Sequence, residues 1–167
     1  MGRGEAMGRL RLLAEERAFG WHVGSDRLIQ AGLDALLADV ASPSLASLAG
    51  LGVREEHLAG ELFDDVVGEL GLGFEVPGDP GAARWALAHW LAGRMVDGEL
   101  SPGHGAGLIW TEAALALDHP EGLREIVEYA TLLDGWDENW SIPRERLEEE
   151  VLDAARELLK RRDGLAS

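Results

Sequence analysis

The sequence predicts an all-α protein of about six to eight helices, with a central apolar helical hairpin over residues 80–117. Three observations carry this. Apolar residues recur with a helical period almost everywhere outside residues 71–82. Period-two alternation is confined to fragments such as Phe74-Glu75-Val76, too short for a sheet. Asp79-Pro80 and Ser101-Pro102 pair a capping side chain with a proline that suits the first helical position.

Residues 1–20 carry basic side chains but no continuous apolar run, because Glu15, Glu16 and Arg17 interrupt it. A loosely ordered segment or a short helix is expected there. Residues 21–72 read as an N-terminal helical part. Ser25-Asp26 offers a cap for a helix whose Leu28, Ile29, Leu33, Leu36, Leu37 and Val40 fall on one face. PSLASLAG is a short turn or helix closed by Gly50. Residues 53–70 repeat the period with Leu58, Leu62, Phe63, Val66, Val67 and Leu70.

A linker follows over residues 73–79, inside the glycine- and proline-rich stretch GLGFEVPGDPGA. Residues 80–163 form a C-terminal helical part, expected to share one core with the N-terminal part. Its first helix has no charge between Arg84 and Arg94, and Trp85, Leu87 and Trp90 point in different directions. A helix apolar nearly all round is buried on most sides. Trp85, Trp90, Leu108 and Trp110 are therefore expected among the most buried side chains. After the break at His119-Pro120, Leu123, Ile126, Val127, Ala130 and Leu133 make an amphipathic stripe. GWDENWSIP is a loop with two tryptophans. The last helix presents Leu147, Val151, Leu152, Ala155, Leu158 and Leu159 on one face.

The chain has 167 residues, of which 46% are hydrophobic, enough for a core. It has no cysteine, so disulfides, thiolate nucleophiles and cysteine-held metals are excluded. No stretch approaches the ~20 apolar residues of a membrane span, and a cytoplasmic protein is expected. With 31 acidic and 15 basic side chains the formal charge is −16, which repels nucleic acid and anionic lipid. Residues 112–157 alone hold fourteen acidic and four basic side chains, a net of −10.

Catalytic motifs are missing: no H-E-x-x-H, no P-loop, no G-x-S-x-G and no paired Glu-x-x-His. Gly103-His104-Gly105-Ala106-Gly107 resembles a phosphate loop in composition. A dinucleotide fingerprint, however, needs a preceding strand, and here a helix precedes it. Close helix packing is the simpler role of these glycines. Asp134, Asp137 and Glu138 in DGWDENW lack the one-three-five spacing of a Ca²⁺ loop. No metal and no cofactor are expected.

Residues 42–72, SPSLASLAGLGVREEHLAGELFDDVVGELGL, and residues 90–112, WLAGRMVDGELSPGHGAGLIWTE, carry a recognisable pattern. It runs SP-x-L-x-x-LAG, then ELF…ELG, then Val96-x-Gly98-x-Leu100-x-Pro102 through Gly107 and Ile109-Trp110. In these features the chain resembles a group of uncharacterised, mostly actinobacterial, small helical proteins. The resemblance implies a stand-alone cytoplasmic helical protein and brings no site residues.

Two functional readings remain open. In the first, the chain is a small acidic interaction protein (a regulator, an immunity-like or antitoxin-like inhibitor, or an adaptor). It binds a basic protein partner through Trp136 and Trp140, set among Asp134, Asp137 and Glu138. In the second, it is an enzyme or small-ligand binder whose pocket beside the central hairpin uses His89, His104, Trp110 and Glu112. A filled core with an acidic face favours the first; a pocket with convergent polar groups favours the second.

Overall fold

The computed structural model describes residues 1–165, with side chains through Arg162. Its described residues hold eight α-helices and no strand. The chain divides into two compact units, Met1–Val76 and Pro77–Ser167, and the boundary falls inside the expected linker.

The first unit contains α1 (Arg3–Ala18), α2 (Ser25–Leu37), α3 (Leu45–Ala49) and α4 (Ala59–Leu70). A 3₁₀ turn, Val53–Leu58, leads into α4, so residues 53–70 are two elements rather than one helix. The N-terminal segment is a full helix of 16 residues. Ala6, Leu10, Leu13 and Ala14 seat it in the core. The charges that break its apolar run find partners: Glu16 pairs with Arg27 at 3.1 Å and Arg17 with Asp64 at 3.1 Å. Arg17 also lies over the Phe63 ring.

The expected face of α2 is overturned. Its buried residues are Leu28, Ala31, Gly32 and Ala35, while Leu33, Leu36 and Leu37 are exposed. Small side chains turn inward because α2 and α3 approach closely. A Cβ on Gly32 would stand 2.8 Å from Leu48 Cδ2, so the tight seam excludes leucine. The Asp26 side chain does not cap this helix; Gly24 occupies the N-cap position without a side-chain hydrogen bond.

The first unit has its own buried cluster, drawn from residues between Ala6 and Leu72. Phe63, Leu10, Leu28, Leu45, Leu48 and Val66 are its largest fully buried side chains.

The second unit contains α5 (Pro80–Val96), α6 (Pro102–Leu108), α7 (Arg124–Asp134) and α8 (Arg144–Leu165). Both expected starts are present. Asp79 accepts from the Ala82 N–H at 2.8 Å, and Ser101 from the His104 N–H at 3.4 Å. The helix begun by α6 does not stay α: Ile109–Ala114 widens into a π-helical turn. Helix α5 packs against α8, α8 against α7, and α6 against α7.

The four residues expected at the centre of this core lie at its margin. Trp85, Trp90, Leu108 and Trp110 are all half-buried. The centre is instead made by Leu91, Met95, Ile109, Leu123, Ile126 and Val151, with Ala88, Ala92, Ala106, Ala113 and Ala114 between them. A Cβ on Gly105 would collide with Met95. Helices meeting across alanine and glycine leave no room for an indole, so the tryptophans spread over the rim. Trp90 lies beneath the Arg94 guanidinium, 5.0 Å from ring centroid to Cζ. Trp85 stacks on His89 and covers Gly122.

Candidate functional site

The second unit carries an open groove of about 450 Å³ between α6, its π-helical continuation and the C-terminal end of α7. Three elements build it. Gly103, His104 and Gly107 come from α6; Trp110 and Thr111 from the π turn; Ala130, Leu133 and Asp134 from α7. Arg144, at the start of α8, completes the rim. The floor is apolar, from Leu108, Ala130 and Leu133, and the polar groups stand around it.

Each polar group has a defined setting. The Thr111 hydroxyl donates to the Gly107 carbonyl at 3.0 Å. That bond ties up the hydroxyl and satisfies a carbonyl near the wide turn. Arg144 Nε donates to Glu148 at 3.1 Å, and its Nη2 reaches over Gly103. Gly107 has open space where a side chain would be, which keeps the groove clear. His104 and Asp134 are exposed.

The groove unites members of both candidate sets: His104 and Trp110 from one, Asp134 from the other. It does not include His89 or Glu112. His89 stacks against Trp85 with ring centroids 6.0 Å apart. Glu112 faces Arg84 at 3.8 Å, and the same guanidinium donates to the Glu112 carbonyl at 2.8 Å. These two therefore belong to the packing of α5, not to the groove. Compared with known proteins, the chain matches no family model, no curated protein and no solved structure.

Directly after Asp134 the loop 135–143 is stitched to itself. Trp136 is half-buried, and its indole N–H donates to the Ile142 carbonyl at 3.0 Å. Asp137 accepts from the backbone N–H and the side-chain amide of Asn139, both at 2.7 Å. Its carboxylate thus shapes a turn. Glu138 is exposed. Trp140 is 42% and Ile142 43% exposed. The loop holds these two apolar side chains out on a backbone fixed by its own hydrogen bonds.

The surrounding field is acidic. Between α7 and α8, Tyr129 donates to Glu150 at 3.5 Å. Burial, and then the charges of Glu150 and Glu125, push its hydroxyl above the ordinary tyrosine range, so it remains protonated. Asp134, Glu138, Glu145 and Glu149 make no ion pair among the described residues. Among those residues no three metal-ligating side chains gather. Arg144, Thr111 and Leu108 line the candidate groove but were not singled out for it by the sequence. Arg144 lies more than thirty positions from His104, and no periodicity connects them.

Proposed function

We propose that this chain is a protein-interaction module that binds a basic partner protein through its second unit. The observation carrying the reading is the loop 135–143, which presents Trp140 and Ile142 to solvent beside the unpaired carboxylates of Asp134 and Glu138. Large apolar side chains held out on an ordered loop are contact anchors. The net −10 of residues 112–157 steers a cationic partner toward them. The groove extends the surface with the Trp110 ring and the apolar floor.

Placement in the cytoplasm, and in the bacterial group whose pattern the chain resembles, is part of the same proposal. No helix among the described residues is long and apolar enough to cross a membrane.

The test starts from a partner captured from source lysate at low salt, followed by binding kinetics. Salt shortens the Debye length from ~10 Å at 0.1 M to ~3 Å at 1 M, so association should slow. Trp140→Ala should speed dissociation and leave the salt dependence in place. A partner indifferent to both changes would sink the proposal.

The groove itself favours a second reading. About 450 Å³ with an apolar floor and His104, Asp134 and Arg144 around it is the size of a small-ligand site. Gly107→Leu separates the two, since it fills the groove while sparing Trp140 and Ile142. Loss of binding to a small molecule, with partner binding retained, would support the second reading.

A further inference from the structure

Three departures from local rules meet at the groove of the second unit. Gly107 is a helical glycine with nothing within 4 Å of where a Cβ would stand. Alanine would fit there and would favour the helix. Gly105, by contrast, is needed against Met95. The helix then widens at Ile109–Ala114, a distortion common at functional sites. On the other wall, α7 ends on Asp134 with no basic side chain in its last turn. A helix C-terminus carries partial negative charge, so an acid there is the unfavourable choice. Departures of this kind gather where a chain has a function to serve.

The charges point to the ligand. Three titratable side chains line the groove: His104, Asp134 and Arg144. The Asp134 carboxylate has no hydrogen bond or ion pair among the described residues, so it is neutralised by neither of the other two. The His104 imidazole is likewise unengaged, since only its backbone N–H is used, by Ser101. Arg144 gives its Nε to Glu148 at 3.1 Å. The donors of Nη1 and Nη2 remain, and Nη2 stands over Gly103. The neighbouring acids leave this balance unchanged. Glu148 holds Arg144 from outside the groove, Asp137 is bound within its own turn by Asn139, and Glu138 and Glu145 line no part of the cavity.

One apolar floor thus carries an acceptor and a set of cationic donors that do not satisfy each other. A purely anionic ligand would meet Asp134 and the net −10 of residues 112–157. A purely cationic one would meet Arg144. A molecule with both charges and an apolar body answers each group with its opposite.

We infer that the groove takes a zwitterionic α-amino acid with an apolar side chain. Its ammonium sits on Asp134, its carboxylate on Arg144 and His104, and its side chain on the Leu108 and Leu133 floor beside the Trp110 ring. This rests on the small-ligand reading of the groove and names the class of ligand.

The probes are L-phenylalanine, L-leucine, hydrocinnamate, which lacks the ammonium, and phenethylamine, which lacks the carboxylate. Each is titrated into the isotope-labelled full chain and followed by NMR. Both amino acids should move the resonances of Gly107, Trp110 and Leu133. Each truncated probe should bind about tenfold or more weakly than phenylalanine. Asp134→Asn should erase the advantage of phenylalanine over hydrocinnamate, and Arg144→Gln its advantage over phenethylamine. Both side chains are exposed, so neither change disturbs the core. A truncated probe that moves the same resonances and binds as tightly as phenylalanine overturns the zwitterion and leaves the small-ligand reading standing. Wild-type discrimination in both variants overturns the roles given to Asp134 and Arg144. If none of the four probes moves the groove resonances, the inference and the small-ligand reading fall together.

Discussion

Ser44 is joined to Glu69 twice: its backbone N–H donates at 2.8 Å and its hydroxyl at 2.6 Å. Ser42 adds a third hydrogen bond to the same carboxylate at 2.5 Å. Helix α4 thereby holds the Ser-Pro-Ser turn that leads into α3, and Leu45 and Leu48 enter the core just beyond it. The Ser42 hydroxyl first, then the Ser44 hydroxyl and N–H, hold the Glu69 carboxyl below its ordinary range, against a small opposing effect of desolvation.

A group whose value is lowered by folding stabilises the fold fully above its unfolded value, near ~4.3 for glutamate, and loses that contribution as the pH falls through the lowered value. Glu69→Gln should therefore lower Tm at neutral pH. The gap from wild type should hold down to about pH 5 and close on further acidification. Melting curves of both proteins across that range check this, and a gap that widens in acid would refute it.

Gly105 and Gly107 should respond in opposite ways to the same substitution. A Cβ at Gly105 meets Met95, and Leu100 at 3.1 Å, whereas one at Gly107 meets nothing within 4 Å. Gly105→Ala is overpacking and should cost ~1–3 kcal/mol. Gly107→Ala gains helix propensity, up to ~1 kcal/mol. Chemical denaturation of the two variants decides the matter, and equal effects would contradict the packing described.

Ile109 is fully buried and its neighbour Trp110 half-buried. Ile109→Ala should cost ~2–5 kcal/mol, from transfer and cavity together. Trp110→Ala should cost less, despite removing the larger side chain. If the tryptophan variant proves the less stable of the two, the indole rather than the isoleucine anchors this turn.

The caps of α5 and α6 should rank by geometry. Asp79 holds the Ala82 amide at 2.8 Å, while Ser101 reaches the His104 amide only at 3.4 Å. Asp79→Ala should cost ~1 kcal/mol, within the usual ~0.5–2 range, and should speed hydrogen exchange at Ala82. Ser101→Ala should cost less. The reverse order would show that hydrogen-bond length is not what sets these caps.

Much of the helical framework was legible in the sequence, because caps and periodicity are local. Asp79-Pro80, Ser101-Pro102 and the stripe of α7 needed only their neighbours to be read. Two features depended on partners distant in sequence. On α2 the leucine pattern pointed inward, yet the seam with α3 admits only small residues, as Gly32 against Leu48 shows. In α5 and the π turn, side-chain size suggested a tryptophan core, but the helices meet at alanines. The candidate site was half visible. His104, Trp110 and Asp134 stood out by type, but only the packing of α6 on α7 brings them to one groove, and only the start of α8 supplies Arg144.

The wide turn at Ile109–Ala114 has a consequence for comparing this chain with any relative. Leu115 N–H bonds back to Trp110 O, five residues away, and His119 N–H to Ala114 O likewise. Such a bulge holds one residue more than an α-helix would over the same rise. It lets Ile109, Ala113 and Ala114 all point inward, while Trp110 keeps its place on the groove. A homologue one residue shorter here would run as plain α-helix, with the turns on either side left in register and only the widened turn closed. A one-residue gap in an alignment at this point would therefore mark a chain without the wide turn, in which the residues from Ile109 to Ala114 share out the inward positions differently.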